Sequence, residues 1–180
     1  PVPGMQKPPF TVALSLNADL SGYVHKEVLQ GEADWEINFA RANVILFKQV
    51  MAGIYQQVHS IPSNSDNLAG TALPVGTKAV ITPIMEDYQL STPKQSKTKY
   101  FEVWIKYRMQ LYDTSGKLIE DWPFTAYGSN RKDLLGASDA LNEATRRAMR
   151  DAATAVVLDF MKQPKVNRFF YDSTAAKAKN

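Results

Sequence analysis

Only two histidines, His25 and His59, are available as general bases in this 180-residue chain, and cysteine is absent. The lack of cysteine excludes disulfides, zinc–thiolate sites, iron–sulfur ligation and thiol nucleophiles together. A serine nucleophile held in a strained strand-to-helix turn needs a G-x-S-x-G pattern, and none occurs. His25 alternates with Tyr23 and Glu27 in a stretch that reads as strand. His59 falls at the end of a predicted helix, where a partial positive charge suits the dipole. Both histidines read as surface or capping residues. The acidic doublets Glu86-Asp87 and Glu120-Asp121 sit in predicted strands, where neighbours point to opposite faces, so neither doublet makes a two-carboxylate site by itself. Asp139 and Glu143 are one helical turn apart, and Glu143 with Arg147 reads as a surface ion pair. Gly128-Ser-Asn-Arg131 lacks the GK[ST] ending of a phosphate loop. The Arg146, Arg147 and Arg150 cluster fits a solvated helix face. The residues thus point to no catalytic site, no metal site and no cofactor.

The aromatic residues are more informative. Trp104 lies on the polar side of its predicted strand, with Glu102 and Lys106. Trp122 and Phe124 share one side of the next strand. Tyr88, Tyr100 and Tyr112 are close in sequence. One reading is core packing under a helix. The other is a contact patch, because Trp and Tyr are enriched where surfaces meet partners. On the second reading Trp104, Tyr88, Tyr100 and Trp122 are the candidate partner-binding residues.

The elements that would position these residues follow from periodicity. Phe10, Val12, Leu14 and Leu16 alternate along one side of a strand. Residues 23–29 and 34–37 read as short strands separated by Gln30-Gly31-Glu32. Asn38 is a plausible N-cap. The helix it would open carries Phe47, Val50, Met51, Ile54 and Val58 on one face, and Pro62 closes it. Residues 61–77, rich in Ser, Asn, Gly and Pro, read as a long loop. Residues 80–90 form a strand in which Pro83 marks an edge or a bulge. Phe101 to Leu111 alternates strictly, and the turn Asp113-Thr-Ser-Gly116 returns the chain through 117–127, which predicts an antiparallel hairpin at the centre of a sheet. A second long helix spans about 138–162, with a stripe of Leu141, Ala144, Ala148, Ala152, Ala155 and Val156 small enough for close packing. Pro164 ends it.

The fold class expected is α+β, a mixed and mainly antiparallel sheet with two long helices packed on one face, in the order β-β-α-β-β-β-α. Neither a parallel crossover nor a Gly-rich βα turn points to a doubly wound nucleotide fold. The expected organisation is a Pro-rich tether over 1–9, one domain over 10–172 and a flexible tail over 173–180. With 44% hydrophobic and 22% charged residues, the chain has the composition of a globular domain. Its net charge of +3 comes without a concentrated basic stripe, so nucleic acid is not an expected partner. The apolar run Val44 to Phe47 is far too short to span a bilayer. The first residue is Pro rather than Met, which suggests a trimmed start, behind which a lipid-bearing anchor would lie.

Two segments carry a family resemblance. Residues 101–128, with Tyr-Arg-Met-Gln-Leu-Tyr-Asp-Thr-Ser-Gly-Lys-Leu-Ile-Glu-Asp-Trp, resemble the central hairpin of small Gram-negative envelope lipoproteins. Residues 137–161, ending Ala-Val-Val-Leu-Asp-Phe-Met, resemble their C-terminal helix. The groups in question are the auxiliary lipoproteins of ABC-type transport and the lipopolysaccharide-assembly lipoproteins. The resemblance implies a periplasmic domain tethered to the outer membrane through a removed N-terminal anchor, with no active site to carry over. The function expected is non-enzymatic, by protein contact with an envelope transport or assembly complex or with a second copy of the chain. The alternative is a small-molecule or lipid-binding module with a cleft between helices and sheet.

Overall fold

Strict alternation from Phe101 to Leu111 produces a long strand that buries Phe101, Val103, Ile105, Tyr107, Met109 and Leu111 on one face and turns Glu102, Lys106 and Arg108 to the other. The computed structural model describes residues 7–16, 20, 22–27, 35–62, 72–131 and 136–172. Residues 1–6 of the expected tether, the break at 30–32, most of the 61–77 loop, the connector at 133–135 and the tail at 173–180 lie outside the described residues.

In chain order the elements are β1 (Thr11–Leu16), β2 (Val24–Glu27), β3 (Trp35–Asn38), α1 (Ala40–Ile54), β4 (Gln57–Pro62), β5 (Thr77–Ser91), α2 (Pro93–Ser96), β6 (Tyr100–Asp113), β7 (Leu118–Arg131) and α3 (Ala137–Asp159). A 3-10 turn (Phe160–Lys162) and α4 (Pro164–Tyr171) follow. Five strands form one sheet in the order β4-β1-β5-β6-β7, and β2 with β3 makes a separate two-stranded ribbon. β1 pairs parallel with both β4 and β5, whereas β5, β6 and β7 are antiparallel. The expected α+β class holds, with a mixed sheet.

Both long helices share a single core with one face of that sheet. From α1 come Phe47, Val50, Met51 and Ile54, and from α3 come Leu141, Ala144, Ala148, Ala152 and Val156. Phe47 meets the Tyr107 ring edge-on at 5.5 Å. On the other face of the sheet, Ala13 of β1, Ile61 of β4 and Val80 of β5 form a small second cluster, against which Leu73 and Tyr112 pack.

Several expectations need correction. The predicted hairpin forms, but β7 is an edge strand, so the hairpin lies to one side of the sheet rather than at its centre. The first helix stops at Ile54. Tyr55 is extended and 1% exposed, and residues 57–62, whose spacing continues the helical stripe, form β4 instead. Ile54 and Val58 are four apart and mimic a helical stripe, which hides the change of period. His59 therefore sits in a strand, not at a helix end, and the β1-to-β4 connection through α1 is a parallel crossover after all. Asn38 ends β3, and Phe39 precedes the helix without a side-chain cap. The second long helix ends before Pro164 as expected, and Pro164 also opens a further helix, because proline is tolerated in a first turn. α4 buries Val166 and Phe170, and Phe170 packs on Phe10 and Tyr55.

Pro83 lies inside β5, just past Ile81, where pairing with β1 ends. There β5 is locally an edge, and a bulge follows between Met85 and Asp87. The hairpin turn has the expected chemistry: Gly116 takes φ +86°, and the Asp113 carboxylate accepts from the Ser115 amide and hydroxyl and from the Lys117 amide. Desolvation pushes the Asp113 carboxyl up, but the Ser115 hydroxyl and the two amides lower it by more, leaving it below its ordinary value. A carboxyl lowered on folding contributes stability that is present above its unfolded pKa and lost as pH falls through the folded one. Asp113→Ala is therefore expected to flatten the acid limb of the stability curve below about pH 4. Urea midpoints measured against pH read this, and superimposable curves for the two proteins would refute the coupling.

Candidate functional site

With the helices on one face, the opposite face of β5, β6 and β7 carries the remaining chemistry. Register places Gln89 beside Trp104 and Trp104 beside Tyr127, then Asp87, Lys106 and Thr125 in the next row. The Trp104 and Tyr127 rings lie 5.5 Å apart and tilted by 47°. Tyr127 is 42% exposed and donates its hydroxyl to Glu102 at 2.9 Å. A bond from Ser129 pulls the Tyr127 phenol down, while desolvation and the Glu102 carboxylate raise it by more.

Further along the same face Arg108 bridges three strands. Its Nε donates to Glu86 at 2.5 Å and its Nη1 to Asp121 at 2.7 Å. These two bonds raise the guanidinium pKa further. All three side chains are about one-third exposed (31%, 34% and 33%), so the network is wet and each pair contributes modestly. Tyr112 donates to Gln110, and its phenol is raised by desolvation and then by the Asp121 charge. The sheet thus presents an aromatic pair at one end and a fixed alternation of charge at the other. Such a surface suits recognition of shape and charge. It brings together no base, nucleophile and orienting acid.

The sequence-derived candidates divide between the two faces. Trp104 and Tyr100 lie on the open face, and Tyr100 is 44% exposed. Tyr88 is 1% exposed: its ring packs on Phe39 and His25, and its hydroxyl shares a 2.9 Å bond with Thr145 of α3. It has no surface to offer a partner, which corrects its place in the candidate set. Trp122 stacks on Phe124 at 4.6 Å and reaches Phe160, so it belongs with the helix-covered side. The Tyr127–Glu102 bond and the Glu86–Arg108–Asp121 bridge are not legible from the sequence. Their common face follows from strand register, which sequence alone does not supply.

Among the described residues there is no group of three or more His, Asp or Glu placed to hold a metal ion. Nor is any described helix long and apolar enough to cross a membrane. The layer between helices and sheet is filled by Phe47, Met51, Tyr107, Met109, Leu141 and Ala144, each at most 1% exposed.

No protein family matches the sequence, and no curated protein does. Solved structures do show a similar chain course. A putative neuraminyllactose-binding hemagglutinin homolog from Helicobacter pylori superposes with a TM-score of 0.51 over 98% of this chain and 96% of that one, at 8% identity. Rare lipoprotein B from Shewanella oneidensis gives 0.47 over 87% and 97%, at 13% identity. Lipoprotein GNA1162 from Neisseria meningitidis gives 0.38 over 81% and 99%, at 12% identity. The first establishes likeness of fold alone, and the other two superpose too loosely to carry an argument.

Proposed function

We propose that this chain is a non-enzymatic envelope lipoprotein domain, tethered on the periplasmic side of the outer membrane in the full protein, that acts by contact with an envelope transport or assembly complex through the uncovered face of its sheet. The observation that carries this reading is the Trp104–Tyr127 pair, set among Glu102, Lys106 and Thr125 on the face away from both helices. Aromatic rings on a polar strand face lose little conformational entropy on docking and bury much area, which is why they anchor contacts. The filled layer between helices and sheet gives no support to a ligand cleft there.

Trp104→Ala is expected to cost less than about 1.5 kcal/mol, the scale of one aromatic pair. Phe47→Ala, in the core, should cost about 3–5 kcal/mol. Urea unfolding of the two variants makes the comparison. A Trp104 loss as large as that of Phe47 would make Trp104 a core residue and remove the site. For the contact itself, a photo-crosslinking amino acid at position 104 in the full-length protein, expressed in intact Gram-negative cells, should trap one defined envelope protein. The same probe at Thr154, an exposed position on α3, should not. Equal labelling from both positions, or cofractionation of the full-length protein with the cytosol, would overturn the proposal.

A further inference from the structure

An edge strand offers unpaired backbone groups to any other strand, and β7 is a 14-residue edge. In an antiparallel pair, residues alternate between those that exchange both backbone bonds with the neighbour and those whose N–H and C=O point away from it. The Tyr127 amide donates to Asp151 of α3 at 2.9 Å, so Tyr127 is of the outward kind. The β6–β7 register is regular from Asp121 to Arg131. The outward positions are therefore Asp121, Pro123, Thr125, Tyr127 and Ser129.

Three of these outward groups are already engaged, and a fourth position has no donor to offer. The Asp121 amide donates to the Glu120 carboxylate at 2.9 Å. Pro123 has no amide hydrogen. The Ser129 carbonyl accepts from Arg147 of α3 at 2.9 Å. Arg147 is itself held by Glu143 at 3.3 Å. Among the described residues the Thr125 and Ser129 amides and the outward carbonyls from Asp121 to Tyr127 accept or donate no further bond. We infer that groups of this chain obstruct strand addition on the outer edge of β7 at two points, Asp121–Pro123 and Tyr127–Ser129, so that no continuous ladder forms there and a second copy does not pair with it edge to edge. Asp151 and Arg147 stand where the amide acceptor and carbonyl donor of an added strand would stand. Pro123 and Glu120 interrupt the ladder further along. This inference stands apart from the proposed function and leaves the sheet face, not this edge, as the route to a partner.

Two measurements test it on the full chain. In native-state hydrogen exchange, the Tyr127 amide should be protected and the Thr125 amide should exchange faster. Asp151→Ala should speed Tyr127 exchange by roughly tenfold or more, as expected when a charge-assisted bond is lost, and Asp151→Asn should restore much of the protection. Equal rates for Tyr127 in the native and Asp151→Ala proteins would overturn the assignment. The second measurement uses the absence of native cysteine. Thr125→Cys alone should remain monomeric under mild oxidation. Thr125→Cys combined with Asp151→Ala, Glu120→Ala and Pro123→Thr should give a disulfide-linked dimer whose yield rises with protein concentration. Ready dimerisation of the single variant would show that the edge is open already. A combined variant that is folded by circular dichroism but stays monomeric would show that these groups are not what keeps a second copy away. If the combined variant does not fold, the exchange comparison decides.

Discussion

Gly128→Val is expected to destabilise the fold by about 3 kcal/mol, at the upper end of what overpacking costs, or to prevent folding. The cause is the approach of α3 to β7. A Cβ at Gly128 would lie 2.1 Å from the Ala144 carbonyl oxygen and 2.3 Å from the Ala148 amide nitrogen. Both are backbone atoms of a helix, so no side-chain rotation relieves the clash, and the helix must lift from the strand. Lifting α3 would also pull Asp151 and Arg147 from the Tyr127 amide and the Ser129 carbonyl. Gly53 in α1 makes the contrast: nothing lies within 4 Å of a Cβ there. Gly53→Ala should stabilise by about 0.5–1 kcal/mol, through helix propensity alone. Urea midpoints of the two glycine variants should move in opposite directions. A Gly128→Val protein as stable as the native one would show that α3 does not sit this close to β7.

That contact also shows how far the sequence could be read. The run of small residues Ala144, Ala148 and Ala152 indicates a helix that packs closely on a sheet, and all three are buried. What it packs on is not legible there, because nothing in the sequence around Gly128 pairs it with Ala144 and Ala148. The open face has the same history. Trp104 was placed by alternation within an unbroken strand. Tyr88 joins the candidates only through closeness in sequence, and the bulge between Met85 and Asp87, which adds one residue and shifts every later side chain of β5 to the other face, turns it toward the helices. Without that residue Tyr88 would follow Thr82, Ile84 and Glu86 onto the open side. β4 was lost for a different reason. Val58 falls four residues after Ile54, so a helical stripe and a strand residue coincide, and only pairing with β1 separates them. The α4 helix was hidden behind Pro164, which marks helix starts as well as stops. Period and turn chemistry are local and were legible; register, bulges and edges are set by partners distant in sequence.

The second large effect is expected at Asn43, which is fully buried in α1, where a polar side chain has to meet its partners within the core. Its amide nitrogen donates to the Leu20 carbonyl at 3.3 Å and to the Met85 sulfur at 3.1 Å. Its amide oxygen accepts from the Tyr107 hydroxyl at 2.9 Å. Tyr107 is itself fully buried on β6, and desolvation drives its phenol well above the ordinary value, so it is a neutral donor at any physiological pH. Asn43 therefore ties α1 to β5 and β6 as well as to the segment before the β2–β3 ribbon. Asn43→Leu keeps the volume but orphans the Tyr107 hydroxyl and removes the bond to the Leu20 carbonyl. At about 1–3 kcal/mol for a buried unsatisfied group, a loss of roughly 2–3 kcal/mol is expected. Tyr107→Phe removes one partner and leaves only the Asn43 oxygen unsatisfied, for a loss of about 1–2 kcal/mol. The double variant should lose less than the sum, because the hydroxyl that Asn43→Leu strands is already gone. Equilibrium unfolding of the four proteins closes this cycle. Strict additivity would mean that the two side chains do not share the bond, and that α1 is held to the sheet by its apolar stripe alone.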